Sequence, residues 1–150
     1  MTGITDLMLA KAPVIDEILP AFLEFAGSAE EIIIVAHNAP FDLSFLKSAA
    51  KELDLDWPKF KTLDTVTIAR QVLSKEDVPN CKLSTLAQFF GTKTEPNHRA
   101  LDDAKATTEI LHGLIERLGS FEVYTIDSLM EFAKTAAHIQ RQNYWGLSSI

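Results

Sequence analysis

The sequence predicts an α/β fold, because it combines one apolar run typical of a buried strand with helical spacing of apolar residues on either side. Of its 150 residues, 47% are apolar, which is enough for one compact domain with a core. The apolar run is Ile32–Val35, and an uninterrupted run of this kind favours a strand covered on both faces, as in a parallel sheet. No repeat or low-complexity tract interrupts the chain before about residue 119.

Helices are expected on both sides of this strand. Apolar residues recur at helical spacing from Pro13, and Gly27 stands where a left-handed C-cap belongs. Pro20 weakens this pattern or introduces a kink. After HNAP, at residues 37–40, helical spacing resumes and ends near Trp57. The side chains expected on the apolar side of this second helix are Phe45, Leu46, Ala49, Ala50 and Leu53.

Shorter elements follow. KFKTL, at residues 59–63, is a candidate for a second, short strand, and Asp64 is placed to cap the helix TVTIARQVL. Ser84 is placed to cap a further helix, LSTLAQFF, which Gly91 ends.

The sheet expected from these segments is small for the number of helices. A long helix from about residue 99 to residue 118, ending at Gly119, completes the set. One clear strand and one weak strand cannot cover five or six amphipathic helices. The chain also opens on a Thr-capped turn, MTGITDLML, with no strand before it. We therefore expect an incomplete sheet and a truncation at the N-terminus.

Composition narrows the classes of function. The single Cys81 excludes a disulfide framework and a thiolate-rich zinc site, which favours a cytoplasmic protein. No apolar run approaches the roughly 18 residues needed to cross a bilayer, so no membrane association is expected. A net charge of −7 is unfavourable for direct nucleic-acid binding. Divalent cations held by carboxylates could bridge to phosphates and relieve that repulsion.

The segment HNAPFD places Asp42 in the first turn of the helix that follows the apolar strand. Ligands of open α/β sheets gather at this edge, and the helix dipole favours an ionised carboxylate there. The alternative is structural, with Asp42 complementing the dipole and Asn38 and Pro40 forming an ordinary turn.

The segment NHRALDDA, at residues 97–104, can bring His98 and Asp103 to one cleft from a loop and a helix start. A histidine can accept a proton near neutral pH, and aspartate offers hard oxygen ligands to Mg²⁺ or Mn²⁺. The alternative is an acidic helix start with an exposed His98. Asp102 would point elsewhere as a surface or capping acid, and His37 is expected to be a hydrogen-bonded structural histidine.

Together, HNAPFD, KTLDTVTIAR, KLSTLAQFFG and NHRALDDA resemble, in order and spacing, the motifs of the DEDDh 3′→5′ exonucleases, which include the epsilon proofreading subunit of bacterial DNA polymerase III. The resemblance runs from about Gly3 to Glu116 and implies a ribonuclease H-like exonuclease fold. It also implies a metal-dependent nuclease acting on single-stranded DNA or RNA 3′ ends, in replication or repair. In that family's pattern Asp103 and Asp42 would bind two divalent ions, Mg²⁺ or Mn²⁺, and His98 would be the general base.

The chain departs from the family at its first motif. No Asp-x-Glu occurs in the 150 residues, and Asp54-Leu55-Asp56 lies in the wrong place to replace it. With two of four acidic ligands absent, we expect the isolated chain to be catalytically weak or inactive. A non-catalytic nucleic-acid-binding or partner-docking remnant is therefore the rival hypothesis. Missing strands would also leave apolar faces open to self-association.

The sequence divides into residues 1–118, a partial exonuclease domain, and residues 119–150, a helical extension or connector. Thr125 can cap a helix in this extension. The segment resembles the connector of actinobacterial-type proteins in which a DEDDh exonuclease is fused to a GIY-YIG nuclease domain. Polymerase subunits or such a nuclease domain are thus the implied partners. The alternative is a C-terminal helix packed on the domain, with Tyr144 and Trp145 as anchors.

Overall fold

The computed structural model describes residues 4–143, with the side chains of residues 4–134, and has the α/β composition that the sequence predicts. The elements are α1 (Asp6–Leu9), α2 (Ile15–Ala26), β1 (Ile33–Ala36), α3 (Ala39–Glu52), β2 (Lys61–Asp64), α4 (Thr65–Val72), α5 (Leu83–Phe90), α6 (Ala100–Leu118), a 3₁₀ turn (Gly119–Phe121) and α7 (Ile126–Asn143). Among the described residues, no helix is both long and apolar enough to span a membrane.

The two strands pair in parallel, in a register that runs from Ile33 opposite Lys61 to Ala36 opposite Asp64. Both predicted strands are therefore confirmed, and their carboxyl ends meet at one edge. The prediction that both faces of β1 are covered is wrong, because its four residues are only half-buried. Within the described residues β1 has a single strand neighbour, and of its side chains Ile33 and Val35 pack on the core.

The core lies between β2 and the four helices that follow it. Ile68 of α4, Leu86 of α5 and Ile110 and Leu114 of α6 are completely buried in one cluster. Gly113 lets α5 and α6 approach closely, because a Cβ atom at this position would overlap the ring of Phe90. This packing fixes α6, the helix that carries Asp103.

Helix caps follow the sequence at three positions and depart from it at one. The side chains of Thr5, Asp64 and Thr125 accept hydrogen bonds from backbone N–H groups in the first turns of α1, α4 and α7. Ser84 is not a cap, because α5 begins at Leu83 and its N-cap residue Lys82 makes no side-chain capping bond.

Asn80 takes over part of the role expected of Ser84. Its Oδ1 accepts hydrogen bonds from Lys82 N at 3.0 Å and from Thr85 Oγ1 at 2.8 Å. Gly91 ends α5 in the left-handed conformation, as predicted.

The helices around β1 differ from the sequence prediction in three details. α2 continues through Pro20 to Ala26, and Gly27 adopts φ 72° and ψ −139° rather than the left-handed helical conformation. α3 ends at Glu52, before the predicted end near Trp57. Phe45 lies outside the apolar side of α3 and is 65% exposed, since its ring stacks edge-on against that of Phe41 on the solvent side.

The exposed faces near the N-terminus carry many apolar side chains. Leu7 is 78% exposed and Phe25 is 89% exposed. The predicted self-association would use such surfaces, and it stays a prediction.

The extension after α6 packs on α4. Gln71 Nε2 donates a hydrogen bond to the Phe132 carbonyl oxygen at 3.3 Å, and Leu129 of α7 belongs to the core cluster. The part of α7 with described side chains therefore packs as a C-terminal helix on the domain. The predicted anchors Tyr144 and Trp145 lie outside the described residues.

Candidate active site

A cavity of about 620 Å³ opens at the carboxyl edge of the sheet. The three candidate residues Asp42, His98 and Asp103 all line it, and His37 lies in the same wall. These residues come from three separate parts of the chain: the segment just after β1, the first turn of α3, and the loop before α6 together with the first turn of that helix. Residues of the two sequence motifs thus meet in this cavity.

Asp42 is held in position by the turn between β1 and α3. Asn38 adopts the left-handed conformation, with φ 69° and ψ 49°, and Pro40 follows in the first turn of α3. Asp42 lies in the same first turn of α3. Its exposed carboxylate accepts no hydrogen bond from the described residues. It lies at the positive end of the helix dipole, and its oxygens are available to a cation or a hydrogen-bond donor.

Asp64 fixes this turn from the neighbouring strand. Its Oδ1 accepts hydrogen bonds from Asn38 N at 2.9 Å and from Val66 N at 3.0 Å, and its Oδ2 accepts one from Thr67 Oγ1 at 3.2 Å. Sequence reasoning identified only the capping bond to α4. The bond to Asn38 joins residues 26 apart in the chain, so it follows from the parallel pairing of the strands and leaves no local pattern.

The second half of the site is a loop folded onto the start of α6. Asn97 donates through its backbone N to Asp103 Oδ1 at 3.1 Å and through Nδ2 to Asp102 Oδ2 at 2.9 Å. Asp102 therefore holds the Asn97 side chain against the start of α6. His98, next to Asn97, has φ 64°, and its imidazole makes no hydrogen bond within the described part of the chain. The two ring nitrogens of His98 and the Oδ2 atom of Asp103 are thus available to a ligand.

Glu109 anchors the other end of that loop. Its carboxylate accepts hydrogen bonds from Lys93 N at 2.6 Å and Thr94 N at 3.2 Å. The bonds, led by that from the Lys93 backbone, lower the pKa of the carboxyl group below its usual value. Glu109 lies 16 residues from Lys93, too far for a local capping signal to reveal the contact.

His37 is a hydrogen-bonded histidine, as predicted. Its Nδ1 lies 2.9 Å from Thr65 Oγ1, and that hydroxyl donates to the Ala36 carbonyl oxygen at 3.4 Å. Burial lowers the pKa of the imidazole, although the nearby Asp64 carboxylate opposes the shift. His37 is therefore largely neutral at neutral pH and ties the ends of the two strands together in the cavity wall.

The donor chemistry of the cavity suits a hard divalent cation, but the number of donors is small. Two aspartates and two histidines line it, and carboxylate oxygens are the ligands that Mg²⁺ and Mn²⁺ prefer. Among the described residues, however, no three His, Cys, Asp or Glu side chains lie close enough to hold a metal ion together. The residues present thus match the type of ligand that these ions need, without forming a complete set.

A carboxylate-lined cleft at the carboxyl edge of a parallel sheet is the usual ligand site of an α/β enzyme domain. The chain belongs to the exonuclease family RNase_T, whose model matches residues 1–111. The family resemblance predicted from the motifs is therefore confirmed, and the family supports a nuclease, a hydrolase of nucleic acids.

Individual relatives agree. The chain is 45% identical over 141 residues to a bifunctional exonuclease/endonuclease protein of Mycobacterium tuberculosis, covering 94% of this chain and 21% of the relative. It is 44% identical over 129 residues to a PolC-type DNA polymerase III of Caldanaerobacter subterraneus, covering 86% of this chain and 9% of the relative. A PolC-type DNA polymerase III of Clostridium perfringens is 37% identical over 132 residues, covering 87% of this chain and 9% of that relative. The chain thus spans about a fifth or less of the length of these relatives.

Proposed function

We propose that this chain carries part of a metal-dependent 3′→5′ exonuclease site of the DEDDh type, which acts on single-stranded nucleic-acid ends. The observation that carries the proposal is the convergence of Asp42, His98 and Asp103 on one cavity. Membership of the exonuclease family supports it. The two motifs that supply these residues are those for which the family resemblance implies metal binding and proton transfer.

In this proposal Asp42 and Asp103 hold the divalent ions, Mg²⁺ or Mn²⁺. When bound, such ions would supply charge stabilisation at the attacked phosphorus. His98 acts as general base and accepts a proton from the attacking water on a ring nitrogen. Its imidazole has no competing hydrogen bond within the described residues, which supports that role.

The isolated chain is proposed to be weak or inactive as a catalyst. The 150 residues contain no Asp-x-Glu, so the second pair of carboxylates in the family pattern has no counterpart here. Two aspartates alone would bind the ions loosely, and loosely held ions give poor transition-state geometry. A ribonuclease H-like fold with an incomplete sheet is part of the same proposal, and the two-stranded sheet supports it.

The natural context is proposed to be DNA replication or repair in the cytoplasm, with DNA as the preferred substrate. Two of the relatives are named as DNA polymerase III, which supports a polymerase as partner. A third is named as a bifunctional exonuclease/endonuclease. That name supports a second nuclease, such as a GIY-YIG domain, joined through residues 119–150.

Manganese titration followed by NMR tests the site. Mn²⁺ should broaden the amide resonances of residues 39–43 and 101–104 first, and Asp42→Asn and Asp103→Asn should each weaken the effect. Asp127→Asn is the matched control, because Asp127 also lies in the first turn of a helix and outside the cavity. Broadening that is uniform over the chain, or unchanged in both cavity variants, would remove the metal-site assignment.

A hydrolysis assay tests the proposed inactivity separately. The purified chain should cleave a labelled single-stranded oligonucleotide slowly or not at all in Mg²⁺ or Mn²⁺. Robust, His98-dependent removal of 3′ nucleotides would support the exonuclease site and contradict the inactivity.

The rival function is a non-catalytic module that binds nucleic acid or a protein partner. The absence of Asp-x-Glu and of a three-residue ligand cluster in the described part of the chain favours it. Such a module should bind an oligonucleotide equally well in EDTA and in Mn²⁺, whereas a metal-bridged site should bind better with the metal.

A further inference from the structure

A second cavity, of about 680 Å³, adjoins the candidate active site. Four residues line both cavities: His37, Leu83, His98 and Asp103. Because these residues line both, the two cavities are adjacent, and we call them together the groove, which extends from the candidate carboxylates towards the start of α5. We call its far end, lined by Arg70, Asn80 and Lys82, the cationic arm.

The two ends of the groove differ in charge. No Arg or Lys lines the first cavity, where both candidate aspartates lie. The cationic arm has two, Arg70 from α4 and Lys82 before α5. In a chain with net charge −7, a pair of cations next to an acidic cleft is a specific arrangement that favours an anion at the far end.

The side chains of the cationic arm suit a phosphate group. Arg70 is half-buried, and its charge acts on two groups in the wall of the second cavity. Burial lowers the pKa of His37 and raises that of Cys81, and at both groups the Arg70 charge contributes in the lowering direction. Lys82 is exposed and can move to meet a ligand. Asn80 uses its Oδ1 for Lys82 N and Thr85 Oγ1, so within the described residues its NH₂ group keeps its donors for a ligand.

We propose that the cationic arm binds a backbone phosphate of a single nucleic-acid strand whose 3′-terminal phosphodiester lies at Asp42 and Asp103. The inference rests on the proposed function, because it takes the carboxylate end of the groove as the place of reaction. A strand with successive phosphates occupies both ends of the groove at once, whereas a mononucleotide or free phosphate reaches only one. The substrate is therefore an oligonucleotide with at least two successive backbone phosphates next to its 3′ end.

Salt-dependent binding of a fluorescein-labelled oligothymidylate, made hydrolysis-resistant by phosphorothioates at its 3′ end, tests the inference. Each lysine–phosphate contact to a single strand contributes about 0.7 to the slope of log K against log salt concentration. In Mn²⁺, Lys82→Gln should make this slope shallower by about that amount, and Lys82→Arg should restore it. Lys75→Gln is the matched control, because it removes the same charge from an exposed lysine that follows the far end of α4.

The outcomes separate the groove from the proposed function. A slope change in Lys82→Gln but not in Lys75→Gln, with competition by an unlabelled 5′-phosphorylated dinucleotide, which has two phosphates, far stronger than by inorganic phosphate, supports the cationic arm. Equal slopes in the two variants overturn it and leave the proposed function standing. Equal competition by inorganic phosphate and dinucleotide overturns it as well, because it indicates a free-anion site. If the unmodified chain binds Mn²⁺ at Asp42 and Asp103 but no oligonucleotide, the arm is wrong; if it binds neither, the proposed function fails and the arm with it.

Discussion

Asp64→Ala is the substitution that should damage the site most without touching a proposed ligand. The Asp64 carboxylate accepts three hydrogen bonds, from Asn38 N, Val66 N and Thr67 Oγ1. Two of these bonds hold the start of α4, and the third holds the left-handed Asn38 immediately before α3. Alanine removes all three acceptors at once.

The expected loss of stability can be worked from these bonds. Replacing a capping aspartate by alanine costs about 1 kcal/mol of unfolding free energy. A backbone N–H that donates to a charged group contributes about 1.5–3 kcal/mol, and Asn38 N would lose such an acceptor. Since Asn38 is exposed and water can replace part of that bond, a total of about 2–4 kcal/mol is expected for Asp64→Ala.

Urea denaturation followed by circular dichroism measures this loss, with two controls. Asp64→Asn keeps a carbonyl oxygen in place of Oδ1, so it should lose less than half as much. Asp77→Ala removes an aspartate that accepts two local hydrogen bonds from Ser74 and forms a long, partly exposed ion pair with Arg117 at 4.0 Å, so it should cost less than Asp64→Ala.

Manganese titration of the folded variants supplies the readout that a purely structural role would not change. Asp64→Ala should reduce line broadening at residues 39–43 more than at residues 101–104, because Asp64 positions only the α3 half of the site. Equal unfolding free energies for the Ala and Asn variants, or equal loss of broadening in both halves, would refute the reasoning.

Three further predictions concern packing and pH. Gly113→Ala should lower the unfolding free energy by about 1–3 kcal/mol, because the added Cβ overlaps the Phe90 ring; Gly119→Ala, whose Cβ would meet only Tyr124 at 3.9 Å, is the control and should be close to neutral. Burial lowers the pKa of folded His37 below 6.5, so the unfolded chain binds more protons than the folded chain. The unfolding free energy should therefore fall as pH drops below about 6.5 and level off below the folded pKa. His37→Asn should reduce this pH dependence in urea titrations from pH 8 to pH 5. The lowered pKa of Glu109 should stabilise the fold above the unfolded value of 4.5, with the stability lost as pH falls through the folded pKa; Glu109→Gln should remove that acid-side slope, and an unchanged slope would contradict the loop anchor.

Local signals account for most of what the sequence could predict. Thr5, Asp64 and Thr125 were identified as caps because capping depends on two or three successive residues. The Gly91 C-cap follows from the same kind of local signal, whereas the long helix α6 follows from the spacing of its apolar residues. Even here a local competitor can decide, since Asn80 supplies an acceptor before α5 and Ser84 is left without a capping role.

Tertiary packing accounts for the errors. Helical spacing placed Phe45 with the apolar side of α3, but the side of a helix that is buried depends on its neighbours. In the structure Ala50 takes the buried position and Phe45 stacks on Phe41 towards solvent. The half-burial of β1 has the same origin. An apolar run shows that a strand can be buried on both faces, but the number of neighbours that cover it depends on the tertiary structure.

The two halves of the candidate site differ in how far they depend on that packing. The bond from Asn97 N to Asp103 Oδ1 spans six residues, so the sequence NHRALDDA contains most of what brings His98 and Asp103 together. Asp42 reaches the same cavity only because β1 and β2 pair in parallel with Ala36 opposite Asp64, which lets Asp64 hold the turn before α3. A shift of one residue in that register would reverse the direction of the side chains along β2 and carry the Asp64 carboxylate away from Asn38. The position of Asp42 in the site therefore depends on the register of two four-residue strands. A change in the pairing of β1 should alter the position of Asp42 more than the positions of His98 and Asp103.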